Sequence, residues 1–222
     1  VADEAAKPTL DFATPTELVD LPSKGKFYSE GHPLHGQDTI EIKYMTARDE
    51  DILTSPTLLK KGLAVDRYLQ NVIIIKQINI GSLLTGDKNA ILVASRINGF
   101  GEDYTTKVTC PACTTVSENT FDLSEVQPYY GDDHSEHDIV ATDRGTYVIK
   151  LPRTSFEVEV RLLTSKDENE LAAKMQANKK HSGRIETNLT DQLKKVIVSV
   201  NGVDDMQTIH KVDNNLPAYD SR

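Results

Sequence analysis

Ile40-Glu41-Ile42-Lys43-Tyr44-Met45-Thr46-Ala47-Arg48-Asp49-Glu50-Asp51-Ile52-Leu53 returns later in the chain as Val158-Glu159-Val160-Arg161-Leu162-Leu163-Thr164-Ser165-Lys166-Asp167-Glu168-Asn169-Glu170-Leu171. Glu, Thr, Asp, Glu and Leu are identical, and most other pairs are conservative. Downstream, Val65, Leu69, Val72 and Ile73 fall against Leu189, Leu193, Val196 and Ile197. The pattern reads as an internally duplicated strand-helix-helix unit, so the fold class is α+β. Ile40, Ile42 and Tyr44 alternate with charged residues, as do Val158, Val160 and Leu162, the period of a half-buried strand. A helix start follows each strand. Ser165 with Glu168 reads as a capping box, and Thr46 with Asp49 is the nearest equivalent in the first copy. The shared acids suit the positive end of a helix dipole. Paired-carboxylate chemistry is disfavoured, because adjacent helix positions point about 100° apart and do not converge on one proton.

The second helix of each unit carries an apolar stripe, Val65, Leu69 and Val72 in one and Leu189, Leu193, Val196 and Val200 in the other, the spacing of a helix laid on a core. Val72 to Ile75 reads as a buried turn of helix. Between the copies, Asp87 is placed to cap a third, nearly apolar helix through Ile91 and Ile97, closed by Asn98-Gly99. The chain then divides into an extended N-terminal arm and loop (1–38), a first repeat unit (39–105), an inserted zinc-ribbon-like β-hairpin module (106–157), and a second repeat unit with the C-terminal tail (158–222). Leu10, Phe12 and Val19 of the arm are candidates for docking on a neighbour.

The 222 residues, 38% of them hydrophobic, suffice for one sizeable core or two small ones without disulfide staples. Lys and Arg total 25 against 34 Asp and Glu, a net charge of −9. That balance argues against broad binding to phosphate backbones, which depends on clustered cations. No apolar run is long enough to span a bilayer, and Val1-Ala2-Asp3-Glu4 does not open a secretory signal.

The motif with the most chemistry is Cys110-Pro111-Ala112-Cys113, set between two alternating stretches and therefore at a hairpin tip. Two thiolates at this spacing suit one zinc ion, but a structural site takes four ligands. His134 and His137 stand at a spacing that completes a set of Cys110, Cys113, His134 and His137. A ribbon that has lost its metal, a disulfide and a reduced pair are the alternatives. Redox chemistry is disfavoured because the motif does not open a helix. Gly99-Phe100-Gly101 follows a helix and lacks the features of a phosphate loop, so it reads as a tight turn. His32 and His35 read as surface residues.

Leu21-Pro22-Ser23-Lys24-Gly25-Lys26-Phe27-Tyr28, Thr46 to Leu53, Leu83-Leu84-Thr85-Gly86-Asp87-Lys88-Asn89-Ala90, Gly99 to Tyr104 and the cysteine pair follow one another in a familiar order. In this the chain resembles the baseplate hub protein family of contractile-tailed, T-even-like bacteriophages, over about its first 125 residues and again at Leu216 to Arg222. The resemblance implies a structural or assembly component of the plate at the tail tip, made in the host cytoplasm and carried in the virion. It implies other baseplate and tail hub proteins as partners, and neither a small-molecule substrate nor catalytic residues. The strand-helix repeat is also similar to tail assembly chaperones. The alternatives are therefore a chaperone absent from the mature particle, or a metal-stabilised adaptor of another complex. The family usually has glycine where Thr114 stands, which weakens the case for the metal site.

Overall fold

The computed structural model describes residues 13–127, 139–179 and 188–221. Its architecture is mixed α+β, built around two hydrophobic clusters. The first forms around strands β1 (Thr16–Asp20) and β2 (Thr39–Lys43), antiparallel with Val19 opposite Ile40 and Glu17 opposite Ile42. As the alternation predicts, Ile40 and Ile42 are buried while Glu41 and Lys43 point away. The loop between the strands is tied to the core by Leu21 and Leu34, both fully buried.

Helix α1 (Ala47–Thr54) starts at Thr46, and the Asp49 carboxylate accepts from the Thr46 amide (2.9 Å) and hydroxyl (2.6 Å). Helix α2 (Pro56–Lys61) opens with proline at N1 and stops at Gly62 in the left-handed conformation. Helix α3 (Ala64–Val72) buries Ala64, Tyr68, Leu69 and Val72. The expected stripe is rotated, because Tyr68 takes the wide inward position and Val65 is exposed. The helix also ends at Val72 and does not continue to Ile75. Ile73 forms a bridge with Ile42, and the Ile74 amide donates to the Glu41 carbonyl.

Helix α4 (Thr85–Phe100) differs from expectation at both ends. Asp87 does not cap it. Its buried carboxylate accepts from the Ser23 amide (2.9 Å), the Ser23 hydroxyl (2.6 Å) and the Tyr28 hydroxyl (2.7 Å), fastening the β1–β2 loop. At the other end the helix runs through Asn98-Gly99 and stops at Gly101, φ 84°. Gly99 is small for a packing reason: a Cβ there would sit 2.8 Å from Met45 Sδ. The helix is also less apolar than expected, burying Asp87, Lys88 and Ser95 beside Ile91.

After α4 come β3 (Asp103–Thr109) and β4 (Val116–Asp122), a hairpin that forms a two-stranded sheet of its own. The second cluster is covered by a sheet of β5 (Ile139–Ala141), β6 (Tyr147–Lys150), β7 (Glu157–Val160) and β8 (Ile197–Val200), antiparallel in chain order. Helix α5 (Ser165–Lys179) follows β7, and helices α6 (Asn188–Val196) and α7 (Met206–Asn215) complete the cluster with Leu193, Ile209 and Val212. Leu162 lies beyond β7. Val200 belongs to β8, because the chain passes from α6 into a strand at Ile197 with no intervening turn, and Leu189 is exposed. The start of α5 is one residue earlier than expected. Asp167 accepts from the Thr164 amide (3.1 Å) and hydroxyl (2.8 Å), while Ser165 is buried and Glu168 pairs with Lys88.

The two clusters meet along a short seam. Leu84 bridges Thr164, the Ser165 amide donates to the Leu83 carbonyl, and the Thr85 amide donates to the Leu163 carbonyl. Lys88 Nζ reaches Glu168 (2.6 Å) and the Ser165 hydroxyl (3.3 Å). The Phe27 and Tyr147 rings lie 5.4 Å apart, over a cavity of about 450 Å3.

Candidate interaction surfaces

The β3–β4 hairpin places the cysteines at its tip. The Cys110 amide donates to the Thr115 carbonyl (2.9 Å) and the Thr114 amide to the Cys110 carbonyl (2.9 Å), closing the turn. Thr114 takes φ 57°, the left-handed conformation that glycine adopts without strain. Both thiols are free. Cys113 donates to the Thr115 hydroxyl (3.3 Å), and hydrogen bonding with the side chain and backbone of Thr115 holds its thiol below the usual value. His134 and His137 lie outside the described residues, and among the described residues no three His, Cys, Asp or Glu side chains gather as a metal site.

Along the hairpin, residues directly opposite share a face. One face has Thr105 bonded to Thr120 (2.8 Å), Lys107 opposite Glu118 and, near the tip, Val116 opposite Thr109. The other carries Tyr104 opposite Phe121, Thr106 opposite Asn119 and Val108 opposite Ser117. Tyr104, Val108 and Phe121 are exposed, Phe121 at 50%. The Arg96 guanidinium stands 5.8 Å from the Tyr104 ring and 4.9 Å from Phe100, and its Nη atoms donate to the Gly101 and Asp103 carbonyls, which sets the hairpin's angle to α4. A lone two-stranded hairpin is marginal in water, so an exposed apolar face on one suits a surface completed by a partner.

A second surface lies along β1. The Leu21 amide donates to the Asp38 carbonyl and the Tyr44 amide to the Pro15 carbonyl, so odd-numbered residues of β1 bond to β2. Antiparallel alternation then turns the backbone groups of Thr16, Leu18 and Asp20 outward. Beside this edge runs a groove of about 590 Å3, floored by Ala90, Val93, Ala94 and Ile97 of α4 and walled by Leu123 and Val126. Val19, expected to dock on a neighbour, is buried in the chain's own core, whereas Leu18 beside it is 70% exposed. Leu10 and Phe12 lie outside the described residues. The sequence reading took this strand for part of an arm and missed the edge. A signal was present: Leu21-Pro22 after β1 is matched by Leu151-Pro152 after β6.

His32 is half-buried, not superficial. It stacks on Tyr28 at 4.3 Å, its Nδ1 accepts from the Leu34 amide and its Nε2 lies 2.9 Å from the Ser82 hydroxyl, while burial lowers its pKa. These bonds make it part of the loop's framework. No helix among the described residues is long and apolar enough to cross a membrane.

The model of one protein family, described as T4 bacteriophage base plate protein, matches residues 14–151, from just before β1 to the end of β6. No curated protein and no solved structure matches the chain.

Proposed function

Because this chain belongs to the T4 bacteriophage base plate protein family, with its place in the tail of the virion, we propose that it is a structural or assembly component of the hub of a contractile tail. It acts through contacts with other baseplate and hub proteins and carries no catalytic role. The observation that supports this most is the β3–β4 hairpin, whose Tyr104, Val108 and Phe121 are exposed on one face, uncovered by the other described residues. The test is quantitative mass spectrometry of purified particles, normalised to a tail-tube protein. A fixed low copy number is expected; abundance in infected cells with absence from particles would make the protein an assembly chaperone instead.

The two strand-helix units are read as copies of one ancestral unit. Several equivalences support this. Thr46 with Asp49 matches Thr164 with Asp167. The Ile42–Ile73 bridge falls where Val160 pairs with Ile197. Asn71 donates to Asp49 where Lys195 stands beside Asp167. Upstream, β1 pairs with β2 as β6 pairs with β7, and the left-handed Gly25 and Ser155 stand at equal distances after Leu21-Pro22 and Leu151-Pro152.

One structural zinc ion held by Cys110, Cys113, His134 and His137 is also part of this proposal, supported by two free thiols at a tight turn and the lowered Cys113 thiol. Elemental analysis of the purified protein is expected to find about one zinc per chain, lost in Cys110→Ser and in His134→Ala. Retention in His134→Ala would remove the histidines from the ligand set.

A further inference from the structure

The second unit shows what the first one lacks. Under the duplication reading, on which this inference rests, β6 is the counterpart of β1 and β7 of β2. In the second unit the outer edge of β6 is covered by β5, with Ile139 opposite Ile149, Val140 opposite Val148 and Ala141 opposite Tyr147. The counterpart edge in the first unit is the outer side of β1, and β1 pairs only with β2 among the described residues. We propose that this edge takes an extended segment of another baseplate protein as an added antiparallel strand, one that alternates apolar and basic residues.

Geometry sets the alternation. By the β5–β6 pattern, incoming residues opposite Val19 and Glu17 turn their side chains to the inner side, onto the Ala90, Val93, Ala94 and Ile97 stripe of α4, and the residue opposite Leu18 turns outward. Main-chain bonds to Thr16, Leu18 and Asp20 supply affinity, and the stripe selects the apolar side chain. Charge sets the rest. On the outward side the charged lining residue is Asp20, while inward Glu17 accepts from the Asn98 side-chain amide, and no lysine or arginine is among the lining residues. In a chain of net charge −9 that favours a basic strand. The chain's own first 12 residues carry Asp3, Glu4 and Asp11 against Lys7, which fits the acidic rim poorly.

The probe is a short fluorescein-labelled peptide alternating lysine and valine, followed by anisotropy and by amide hydrogen exchange on the purified full chain. Saturable binding is expected, with new protection at Thr16, Leu18 and Asp20, and with Glu17 and Val19, already bonded to β2, unchanged. Leu18→Pro removes an outward amide while sparing the bonds to β2, and is expected to weaken binding at least about tenfold. Val93→Glu, which places an acid on the groove floor, is expected to do the same, with thermal melts checking that both variants fold. A glutamate–valine peptide that binds equally well, protection elsewhere, or full binding by both folded variants would overturn the proposal. So would protection of these three amides in the free protein that disappears on deleting residues 1–12, since the edge would then be filled by the chain itself. None of these results touches the copy number in particles, so the hub reading stands or falls separately.

Discussion

Two buried aspartates show opposite electrostatic solutions. Burial alone would raise the pKa of Asp167, but the Arg161 guanidinium (2.8 and 3.0 Å) and the Thr164 amide and hydroxyl override it and hold the carboxyl well below the usual range. Asp213, on α7, is buried with neither oxygen bonded among the described residues; desolvation raises its pKa against the pull of His210 and Lys194. A depressed folded pKa adds stability that is present above the unfolded value of about 4 and fades as pH falls through the folded one. A raised folded pKa does the reverse, costing stability increasingly as pH rises from the unfolded value through the folded one. Urea unfolding from pH 3 to 8 is therefore expected to show Asp167→Asn less stable than wild type by about 2 kcal/mol at pH 7, with the gap narrowing in acid. Asp213→Asn is expected to match wild type in acid and gain by about 1 kcal/mol at pH 7.

At the scale of elements, what local pattern controls was legible and what distant pairing controls was not. The Ile40–Ile42 alternation and the acidic helix starts specify β2, α1, β7 and α5 with little help from the rest of the chain. The Thr164–Asp167 box was misplaced by one residue because Ser165 and Glu168 offer the same chemistry, and the buried Lys88 decides between them. Strand β8 was hidden because Val196 to Val200 contains no glycine or proline to separate strand from helix, and only the pairing of Val200 with Val158 makes it extended. The hairpin was read correctly from its turn and flanking alternation, but its uncovered apolar face was not, since exposure depends on what fails to pack against it. That exposure carries a prediction. Tyr104→Ser with Phe121→Ser is expected to change unfolding stability by less than about 1 kcal/mol, whereas Ile42→Ala in the core costs about 3 kcal/mol. The same double variant is expected to lose incorporation into particles in an infection complemented from a plasmid. Normal incorporation would leave the face without a role in assembly.

At the scale of the whole molecule, the two clusters are separate in side-chain packing but share a seam that few residues could keep. Gly145 is one of them. It takes φ 72° at the β5–β6 turn, and a Cβ there would lie 2.8 Å from the Phe27 Cα, backbone that has no flexible end to move aside. Its neighbours hold the turn in place: the Thr142 amide donates to the Thr146 carbonyl, and buried Glu159 accepts from the Thr146 hydroxyl (2.6 Å) and from Arg144 (2.8 and 2.9 Å). A side chain at Gly145 thus pushes the second sheet off the Tyr28 loop without disturbing either core. Wild type is expected to unfold in one transition, whether followed by amide exchange at Ile42 in the first cluster or at Val158 in the second. Gly145→Val is expected to split these probes, with the midpoints separating and the second cluster, whose β5–β6 turn carries the strained φ, losing about 2 kcal/mol. Coincident, unshifted midpoints in that variant would mean the clusters are coupled mainly through Lys88, Glu168 and the Leu84–Thr164 bridge, and that the loop contact at Phe27 contributes little.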